Sequence, residues 1–456
     1  MKRMKQRLKI ACLTMFVYGA FRCCLTAAAG AQSADYRHFD MRPYRAMVDA
    51  GSAETIAAGT QISLANWTKY RRFMPIWMQA LYSGQFAYRV PNSADYSINV
   101  GPGGPLPFPP DYTKDTEKYA GQARLVSLPD GGFSVEGYIA GLPFPNPESD
   151  LKNAGIKVLY DSYFHYNAAV MTDLYNEDLV DKYGNASHNW SREVNSRTGH
   201  RSVTGFPIND PLAPDFFFTL NYTVLEPEQS RYTQQLQMYH TNTTLPQEIY
   251  VFLPSLRRSL RLSSSARCSP LLGSDWTADD SRDGFSGIPN MFKVDYIGKK
   301  KLVSIFHADP IAISKRDSLT KDPALPGWPT PRVGKFELRD TYVLDLTALP
   351  KYKPYCYGDK IFYVDAETFL GVGNDFYDPS GKFWKALYLS YRNQDINDGH
   401  GTLYPVDSDP VATIWDVQNN HTSIAYPGTA AAEVNKAPWT NTALWCTPSG
   451  LASNLR

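Results

Sequence analysis

Residues 360–392 read KIFYVDAETFLGVGNDFYDPSGKFWKALYLSYR, which is the clearest strand pattern in the chain. It contains three runs of alternating side chains, at 360–365, 368–377 and 382–392, separated by two short turns. The second turn, Asp378-Pro-Ser-Gly381, has Pro and Gly where a tight turn favours them. The pattern therefore predicts three antiparallel strands in a meander.

Two glycines, Gly371 and Gly373, lie inside the middle run of this meander. Glycine within a strand marks a bend or a bulge, because it has no side chain to pack there. No helical pattern follows the Gly-Val-Gly sequence, so it is not the turn that opens a dinucleotide-binding unit. The two glycines therefore predict curvature of the sheet.

The third run is partly apolar on both of its faces. Leu387 and Leu389 share one face with Lys385, while Trp384 and Tyr388 share the other face, because side chains alternate along a strand. The pattern leaves open which face of the sheet is concave.

The same two-residue period occurs throughout the second half of the chain, at 216–225, 230–241, 247–253, 291–297, 301–307 and 335–346. Successive strands with few helices between them indicate an antiparallel sheet. Aromatic residues make up 13% of the 456 residues, and there are 33 Pro and 31 Gly, which suits strands joined by many turns. Without a sharp change in composition, we expect one large domain over residues 32–456 that ends in an irregular C-terminal tail.

An aromatic helix is predicted near residues 64–83. Trp67, Tyr70, Met74 and Trp77 recur at helical spacing. Pro75 removes one backbone donor, so we expect a kink or two abutting helices there. Such a helix either docks on the sheet or lines a ligand cavity, and the sequence leaves both alternatives open.

The middle of the chain has a weaker pattern. Residues 148–181 favour a second helix, and residues 182–214 are polar enough to suggest long connections. The basic runs around Arg257 and at Lys299–Lys301 adjoin predicted strands, and we expect them at turns or sheet edges, where Lys discourages pairing with other chains.

The N-terminal segment has the layout of a signal peptide. Residues 2–9 are basic, residues 10–21 are apolar, and Ala29-Gly30-Ala31 offers a cleavage site. The apolar run is shorter than the roughly 20 residues that span a bilayer. We therefore predict that residues 1–31 are removed and that the domain acts in the periplasm, as a protein that is not embedded in a membrane.

Removal of this leader changes the charge and the cysteine count. The 46 Lys and Arg fall to 40, against 45 Asp and Glu, which argues against general nucleic-acid binding. The remaining thiols, Cys268, Cys356 and Cys446, form at most one disulfide, and the spacing leaves its identity open.

Catalytic and metal-binding motifs are missing from the sequence. There is no HExxH, GxSxG or phosphate-binding loop, and the eight His are scattered. Asp279, Ser281 and Asp283 fit the first positions of a calcium loop, but its twelfth position is Asn290 instead of Glu. A solvated acidic turn is the favoured interpretation, and we predict no metal, no cofactor and no enzymatic activity.

Four stretches resemble the bacterial family called domain of unknown function 1329, described as outer-membrane lipoprotein-sorting-like. They are GTQISLANWTKYRRFMPIWMQALYSG (59–84), EGYIAGLPFPNP (136–147), DWTADDSRDGFSGIPNMF (275–292) and YGDKIFYVDAETFLGVGNDFYDPSGKFWK (357–385). The resemblance implies a fold similar to the Lol A and Lol B carriers, which is mainly β (α+β). Such a fold is a strongly curved antiparallel sheet, like an unclosed barrel, with helices plugging its concave side.

The resemblance also implies a function. Carriers of this type hold hydrophobic, lipid-like molecules, acyl chains or lipoproteins, and family members are thought to work beside an outer-membrane channel protein and a resistance-nodulation-division (RND) type exporter. We therefore expect a periplasmic carrier in outer-membrane transport. The alternatives are a secreted hydrolase acting on a glycan or ester, and a non-catalytic envelope assembly component.

A carrier needs an apolar cavity, which binds its ligand by removing apolar area from water. We expect the lining to come from the aromatic helix and the meander: Trp67, Tyr70, Met74, Trp77, Phe362, Phe383, Leu387 and Leu389.

Overall fold

A fourteen-stranded antiparallel sheet dominates the part of the chain that the computed structural model describes. The described residues are 56–308, 325–329, 333–405, 411–429 and 431–454, and all of them belong to one compact unit. The predicted signal peptide and the first part of the predicted domain lie outside these residues.

Most strands of the large sheet have six or more residues, whereas β10 and β20 are shorter. They are β5 (Val170–Val180), β6 (Ala186–Arg197), β7 (Phe216–Glu226), β8 (Gln234–His240), β9 (Glu248–Leu253), β10 (Arg258–Arg261), β11 (Phe292–Ser304), β12 (Glu337–Ala348), β13 (Asp359–Asp365), β14 (Gly371–Tyr377), β15 (Phe383–Ser390), β18 (Val411–Asp416), β19 (His421–Pro427) and β20 (Glu433–Val434). Short pairs are formed by β1 (Gln61–Ile62) with β2 (Ile98–Asn99), β3 (Arg124–Ser127) with β4 (Phe133–Glu136), and β16 (Asn393–Asp395) with β17 (Leu403–Pro405).

The order of the strands shows two meanders joined in the middle. Strands β5 to β10 form one meander and β11 to β15 the other, while β18 and β19 lie between β15 and β5. The edges are β10 and β11, and they do not pair with each other. The predicted fold class, mainly β with an antiparallel sheet that is not closed into a barrel, is therefore confirmed.

The two edge strands carry the two basic runs. Arg258 and Arg261 lie in β10, and Lys299–Lys301 lie in β11, as the sequence predicted. Charged side chains on an edge oppose pairing with the edge of another sheet.

The connection between β10 and β11 has to cross the sheet. These strands follow each other along the chain but form opposite edges, so residues 262–291 pass over one face. We call these residues the crossing segment, and the face that they cover the cavity face. The other side of the sheet is called the back face.

Six helices occur in the described residues: α1 (Trp67–Tyr70), α2 (Ile76–Ser83), α3 (Pro110–Tyr119), α4 (Ala154–Tyr163), α5 (Thr442–Trp445) and α6 (Gly450–Ser453). Helix α4 packs on β11 and β12, on the cavity face, whereas α2 packs on β14 and β15 from the back face. The helices thus cover both faces, whereas the family resemblance implied helices on the concave side alone. No helix in these residues is long and apolar enough to cross a membrane.

Helix α2 begins where the sequence predicted a break. Residues 67–70 are helical, 71–73 form a 3₁₀ turn, and α2 starts directly after Pro75. Its first free amides are satisfied by the sheet, because Trp77 donates its backbone N–H to Asp375 Oδ1 (2.7 Å) and Ile76 donates to the Tyr363 hydroxyl (3.0 Å). A left-handed Gly84 ends the helix.

The indole of Trp77 is the main apolar contact between α2 and the back face. Its ring centroid lies 5.7 Å from that of Trp415, in a stacked arrangement, and 5.4 Å from that of Tyr388. Gly373 leaves room for this ring, since a Cβ there would lie 3.2 Å from Trp77 Nε1 and 2.6 Å from the Leu387 carbonyl oxygen. The register also shifts near Gly371 and Gly373, so the predicted irregularity is confirmed.

Several sequence-based assignments were wrong in the middle of the chain. The helix expected over 148–181 is only α4, and it is followed by strand β5. The polar region 182–214 contains strand β6, and the tail expected to be irregular contains α5 and α6. The strands expected at 291–297 and 301–307 form one strand, β11, with a register shift near Gly298. Strand β5 was missed because it buries polar side chains on both faces, so it lacks apolar alternation.

We expect Trp77→Ala to lower the free energy of unfolding by about 3–5 kcal/mol, the usual cost of removing a large buried aromatic side chain. Trp67 is only half-buried, so Trp67→Ala should cost about 1 kcal/mol or less. Urea unfolding followed by tryptophan fluorescence and circular dichroism measures both. Equal losses for the two variants would contradict the assigned packing of α2.

Asp375 should make stability depend on pH. Burial raises its pKa from 3.8 to about 7, although the hydrogen bonds from Tyr363 and from the Trp77 backbone oppose the rise. The folded state therefore holds the proton more tightly than the unfolded state, and the stability due to protonation is present below pH 3.8 and lost as the pH rises through 7. The full effect is about 4 kcal/mol.

In Asp375→Asn, this fall in stability between about pH 4 and pH 7 should disappear. Denaturant unfolding of both proteins across that range measures the difference. If the free-energy difference between variant and wild type stays constant over the range, Asp375 does not titrate there.

Candidate functional site

A disulfide bond tethers the crossing segment to the loop before β13. It joins Cys268 to Cys356, which are 88 positions apart in the sequence, and Cys446 is a buried free thiol. The pairing that the sequence left open is thus resolved. The tether holds the start of the crossing segment close to the second meander.

A buried ion pair holds the same segment further along. Lys360 Nζ on β13 lies 3.0 Å from Asp280 Oδ1 and donates to the carbonyl oxygen of Gly284 (2.7 Å). The hydroxyls of Tyr357 and Thr277 donate to Asp280 Oδ2, each at 2.6 Å. Both charged groups are almost fully buried, so breaking one partner would leave an uncompensated charge.

The neighbouring acidic residues are also buried. Asp279 accepts hydrogen bonds from Gln247 Nε2 and from the Tyr355 hydroxyl, both at 2.7 Å, and burial raises the pKa of its carboxyl. Asp283 accepts a hydrogen bond from the Tyr391 hydroxyl (3.0 Å) and lies 3.1 Å from His165 Nε2. The interpretation of this stretch as a solvated turn was therefore wrong, because the acidic side chains point inward to partners on β13, in the loops next to the strands, and at His165 just after α4.

The calcium alternative also finds no support in this geometry. Protein hydrogen-bond donors surround the three carboxylates. Within the described ranges, no three His, Cys, Asp or Glu side chains are grouped as metal ligands.

Two glycines allow the crossing segment to approach the sheet closely. A Cβ on Gly371 would lie 2.0 Å from the Asp283 carbonyl oxygen, so any side chain there would displace the segment. Gly284 has φ +75°, and a Cβ there would lie 2.3 Å from Asn374 Nδ2. The backbone of the segment thus rests directly on β14.

A cavity of about 130 Å³ lies between the crossing segment and the cavity face. The sheet contributes Tyr175, Glu177, Glu193, Leu220, Tyr222, Gln235, Gln237, Leu389, Ala412 and Ala425 to its lining. The crossing segment contributes Leu271, Leu272, Trp276, Asp280, Ser281, Asp283 and Gly284. Leu272 is 39% exposed, which places it where the cavity meets solvent. The walls combine apolar surface with a few polar groups, as in small-molecule sites.

Glu177 is the more deeply buried of the two carboxylates that the sheet contributes to the cavity. Burial raises its pKa, and the negative charges of Asp178 and Asp275 raise it further. Hydrogen bonds from Asn189 Nδ2 (3.0 Å) and from the Tyr222 hydroxyl (3.4 Å) act in the opposite direction. Both donors are neutral, so they solvate the carboxylate without cancelling its charge.

Of the eight residues expected to line a cavity, Leu389 does so. Phe362 and Leu387 lie on the same face, but they are covered by the crossing segment at Phe285 and Gly284. Phe383 contacts Phe86 and Tyr377. The four helix residues lie elsewhere: Met74 and Trp77 are buried in the packing of α2 on the back face, and Trp67 and Tyr70 are half-buried.

Most of the lining was missed because it comes from the first meander and from the middle strands. Glu193, Tyr222 and Gln235 face each other in register on β6, β7 and β8. The alternation in the predicted strands 216–225 and 230–241 placed Tyr222 and Gln235 on strands. No signal in the sequence showed above which strands the crossing segment leaves a cavity.

The fold and the cavity together define an open-sheet β protein in which the tethered crossing segment encloses a small amphipathic cavity. The chain belongs to the family described as protein of unknown function (DUF1329), which matches residues 61–444. The resemblance found in the sequence is therefore confirmed. No curated protein matches the chain.

Several solved structures are similar to this chain at low identity. A putative outer membrane lipoprotein-sorting protein domain from Vibrio parahaemolyticus is 14% identical, with 66% of this chain and 100% of that chain covered and a TM-score of 0.42. A DUF1329 family protein from Desulfovibrio piger is 13% identical, with 66% of this chain and 98% of that chain covered and a TM-score of 0.44. A LolA superfamily protein from Nitrosomonas europaea is 12% identical, with 61% of this chain and 91% of that chain covered and a TM-score of 0.35. Because these TM-scores are below 0.5, the family assignment rests on the sequence match.

Removing the disulfide should loosen the crossing segment. In the double variant Cys268→Ser/Cys356→Ser, we expect the free energy of unfolding to fall by about 2–5 kcal/mol, because the tether restricts a long loop of the unfolded chain. Amide hydrogen exchange should rise within residues 265–284. Exchange mass spectrometry measures this rise, with Cys446→Ala as a control that should leave the crossing segment unchanged. Unaltered exchange in the double variant would show that buried charges alone hold the segment.

Proposed function

We propose that this protein binds a small, largely apolar molecule beneath the crossing segment and carries it outside the cytoplasm. One observation carries the proposal: a cavity with mostly apolar walls lies between a rigid sheet and a separately tethered strap. Leu389, Ala412 and Ala425 supply an apolar floor, and Trp276 and Leu271 cover it. The predicted signal peptide supports a role in the periplasm.

The size of the cavity limits the cargo. A volume of about 130 Å³ is close to that of the engineered protein cavity of about 150 Å³ that binds benzene. One ring or a short run of methylene groups fits while the crossing segment is in place. The several acyl chains of a lipoprotein would require the segment to leave the sheet, so a small amphiphile is the better cargo.

The finer predictions concern the partners of this carrier. The family resemblance suggests delivery between an outer-membrane channel protein and an RND-type exporter. Neither partner is tested by the geometry of this chain, and both stay predictions.

One observation favours a hydrolase as the second candidate. Glu177 and Glu193 line the same cavity, and a pair of carboxylates is the usual equipment of glycosidases. A general acid also needs a raised pKa, which burial gives to Glu177. Binding without chemistry remains our conclusion because apolar side chains form most of the walls.

Filling the cavity tests the proposal. Ala425 is half-buried on its floor, so Ala425→Trp should place a large ring in the ligand volume. We expect the neutral fluorescent probe N-phenyl-1-naphthylamine to bind the wild-type protein saturably, with one ring inside the cavity and the remainder at its opening beside Leu272. This variant should bind the probe at least about tenfold more weakly, because overpacking removes the space that the ring would fill. Fluorescence titration measures both affinities.

Ala186→Trp is the matched control, because Ala186 is exposed at the end of β6. It should bind the probe like the wild type, and thermal unfolding establishes that both variants are folded. Absence of saturable binding by the wild type, or unchanged binding by Ala425→Trp, would contradict the carrier proposal. Turnover of nitrophenyl esters or glycosides by the wild type would favour the hydrolase instead.

A further inference from the structure

The charges around the cavity all have the same sign. Of the seventeen residues that line it, four are carboxylates, namely Glu177, Glu193, Asp280 and Asp283, and none is Lys, Arg or His. An anionic head group such as a fatty-acid carboxylate or a phosphate would meet like charges in a site with little water.

Two of these carboxylates have basic residues as partners behind the cavity wall. Asp280 is paired with Lys360 at 3.0 Å, and Asp283 lies 3.1 Å from His165. Glu177 is different, because its two hydrogen-bond donors, Asn189 and Tyr222, are neutral. Its charge is therefore available for a cation that enters the cavity.

A second, independent observation comes from Gln235. Its side chain lines the cavity, the residue is only 8% exposed, and its amide has no hydrogen-bond partner among the described residues. The amide is not fully buried but opens into the cavity, where an atom of a ligand can take the place of water as its hydrogen-bond partner. The amide oxygen of Gln235 accepts hydrogen bonds, as the carboxylates do.

These acceptors lie together on the sheet. Glu193, Tyr222 and Gln235 are direct cross-strand neighbours on β6, β7 and β8, so their side chains are about 5 Å apart at Cβ. The Tyr222 hydroxyl extends this row to Glu177 on β5. On the other side of Glu177 begins the apolar floor, since Ala425 is its register partner on β19 and Ala412 follows on β18.

We propose that the cavity selects amphiphiles whose polar end is a protonated amine, with the ammonium group at Glu177, Glu193 and Gln235 and the apolar part on the Ala412–Ala425 floor. An ammonium group has three donors and no acceptor, which matches a site that presents carboxylate and amide oxygens. This inference rests on the proposed function, since it concerns the chemical class of the cargo in the same cavity.

Competition between three amphiphiles of equal chain length tests the inference. Octylamine, 1-octanol and octanoate are used to displace N-phenyl-1-naphthylamine from the wild-type protein at pH 7.5. We expect octylamine to bind about tenfold or more tightly than 1-octanol, because a hydrogen bond between charged groups is stronger than a neutral one. Octanoate should be the weakest competitor.

Variants assign the preference to the named carboxylate. Glu177→Gln keeps the shape of the side chain and removes its charge, so octylamine should bind this variant no more tightly than 1-octanol does. Glu193→Gln, at a half-buried position, should weaken octylamine binding in the same direction and serves if Glu177→Gln does not fold. Glu248→Gln is the control, because Glu248 is bound to Arg261 and pairs in register with Met238, outside the cavity.

The outcomes separate the inference from the proposed function. Equal displacement by all three compounds, or tightest binding of octanoate, would overturn the amine preference while leaving the carrier in place. An amine preference that persists in both Glu177→Gln and Glu193→Gln would also overturn it. Failure of the wild type to bind the naphthylamine probe or any of the three compounds would remove the carrier itself.

Discussion

An open sheet whose two edges are consecutive in the chain imposes one constraint on the whole structure. Because β10 and β11 lie at opposite edges, the residues between them have to cross a face of the sheet. A backbone that crosses a buried face brings polar groups with it, and these need partners there. In the crossing segment, the carbonyl oxygen of Gly284 accepts hydrogen bonds from Lys360 and Asn374. The carboxylates of Asp279, Asp280 and Asp283 are likewise bound by side chains of the protein.

This constraint also places the cavity. The segment lies directly on β13 and β14, where Lys360 holds Asp280 and where glycine allows backbone contact. Beyond that anchor, the covering residues Leu271 and Trp276 stand above the middle strands and the first meander, and space remains beneath them. The cavity is thus the space that remains between the tethered crossing segment and a wide sheet. Its walls carry the polar side chains of β5 to β8.

The sheet buries polar side chains at positions where a simple β-sandwich would bury apolar side chains. Strand β5 buries Thr172, Asn176 and Asp178 on the back face and Asp173 and Glu177 on the other. Such strands lack apolar alternation, and for this reason β5 was taken for part of a helix and β6 for a connection. The meander at 359–390 was predicted correctly because its alternating pattern and its Pro-Gly turn agree with each other.

Local chemistry in the sequence determined the class of the fold, the break at Pro75 and the bend at Gly371 and Gly373. These features depend on neighbouring residues, whose conformational preferences do not need the rest of the chain. Tertiary structure alone decided that Cys268 pairs with Cys356, that the acidic stretch faces inward, and that Glu177 and Gln235 share a cavity. Those outcomes depend on which strands become neighbours across long separations, and alternation assigns a side chain to a face without saying what will cover that face.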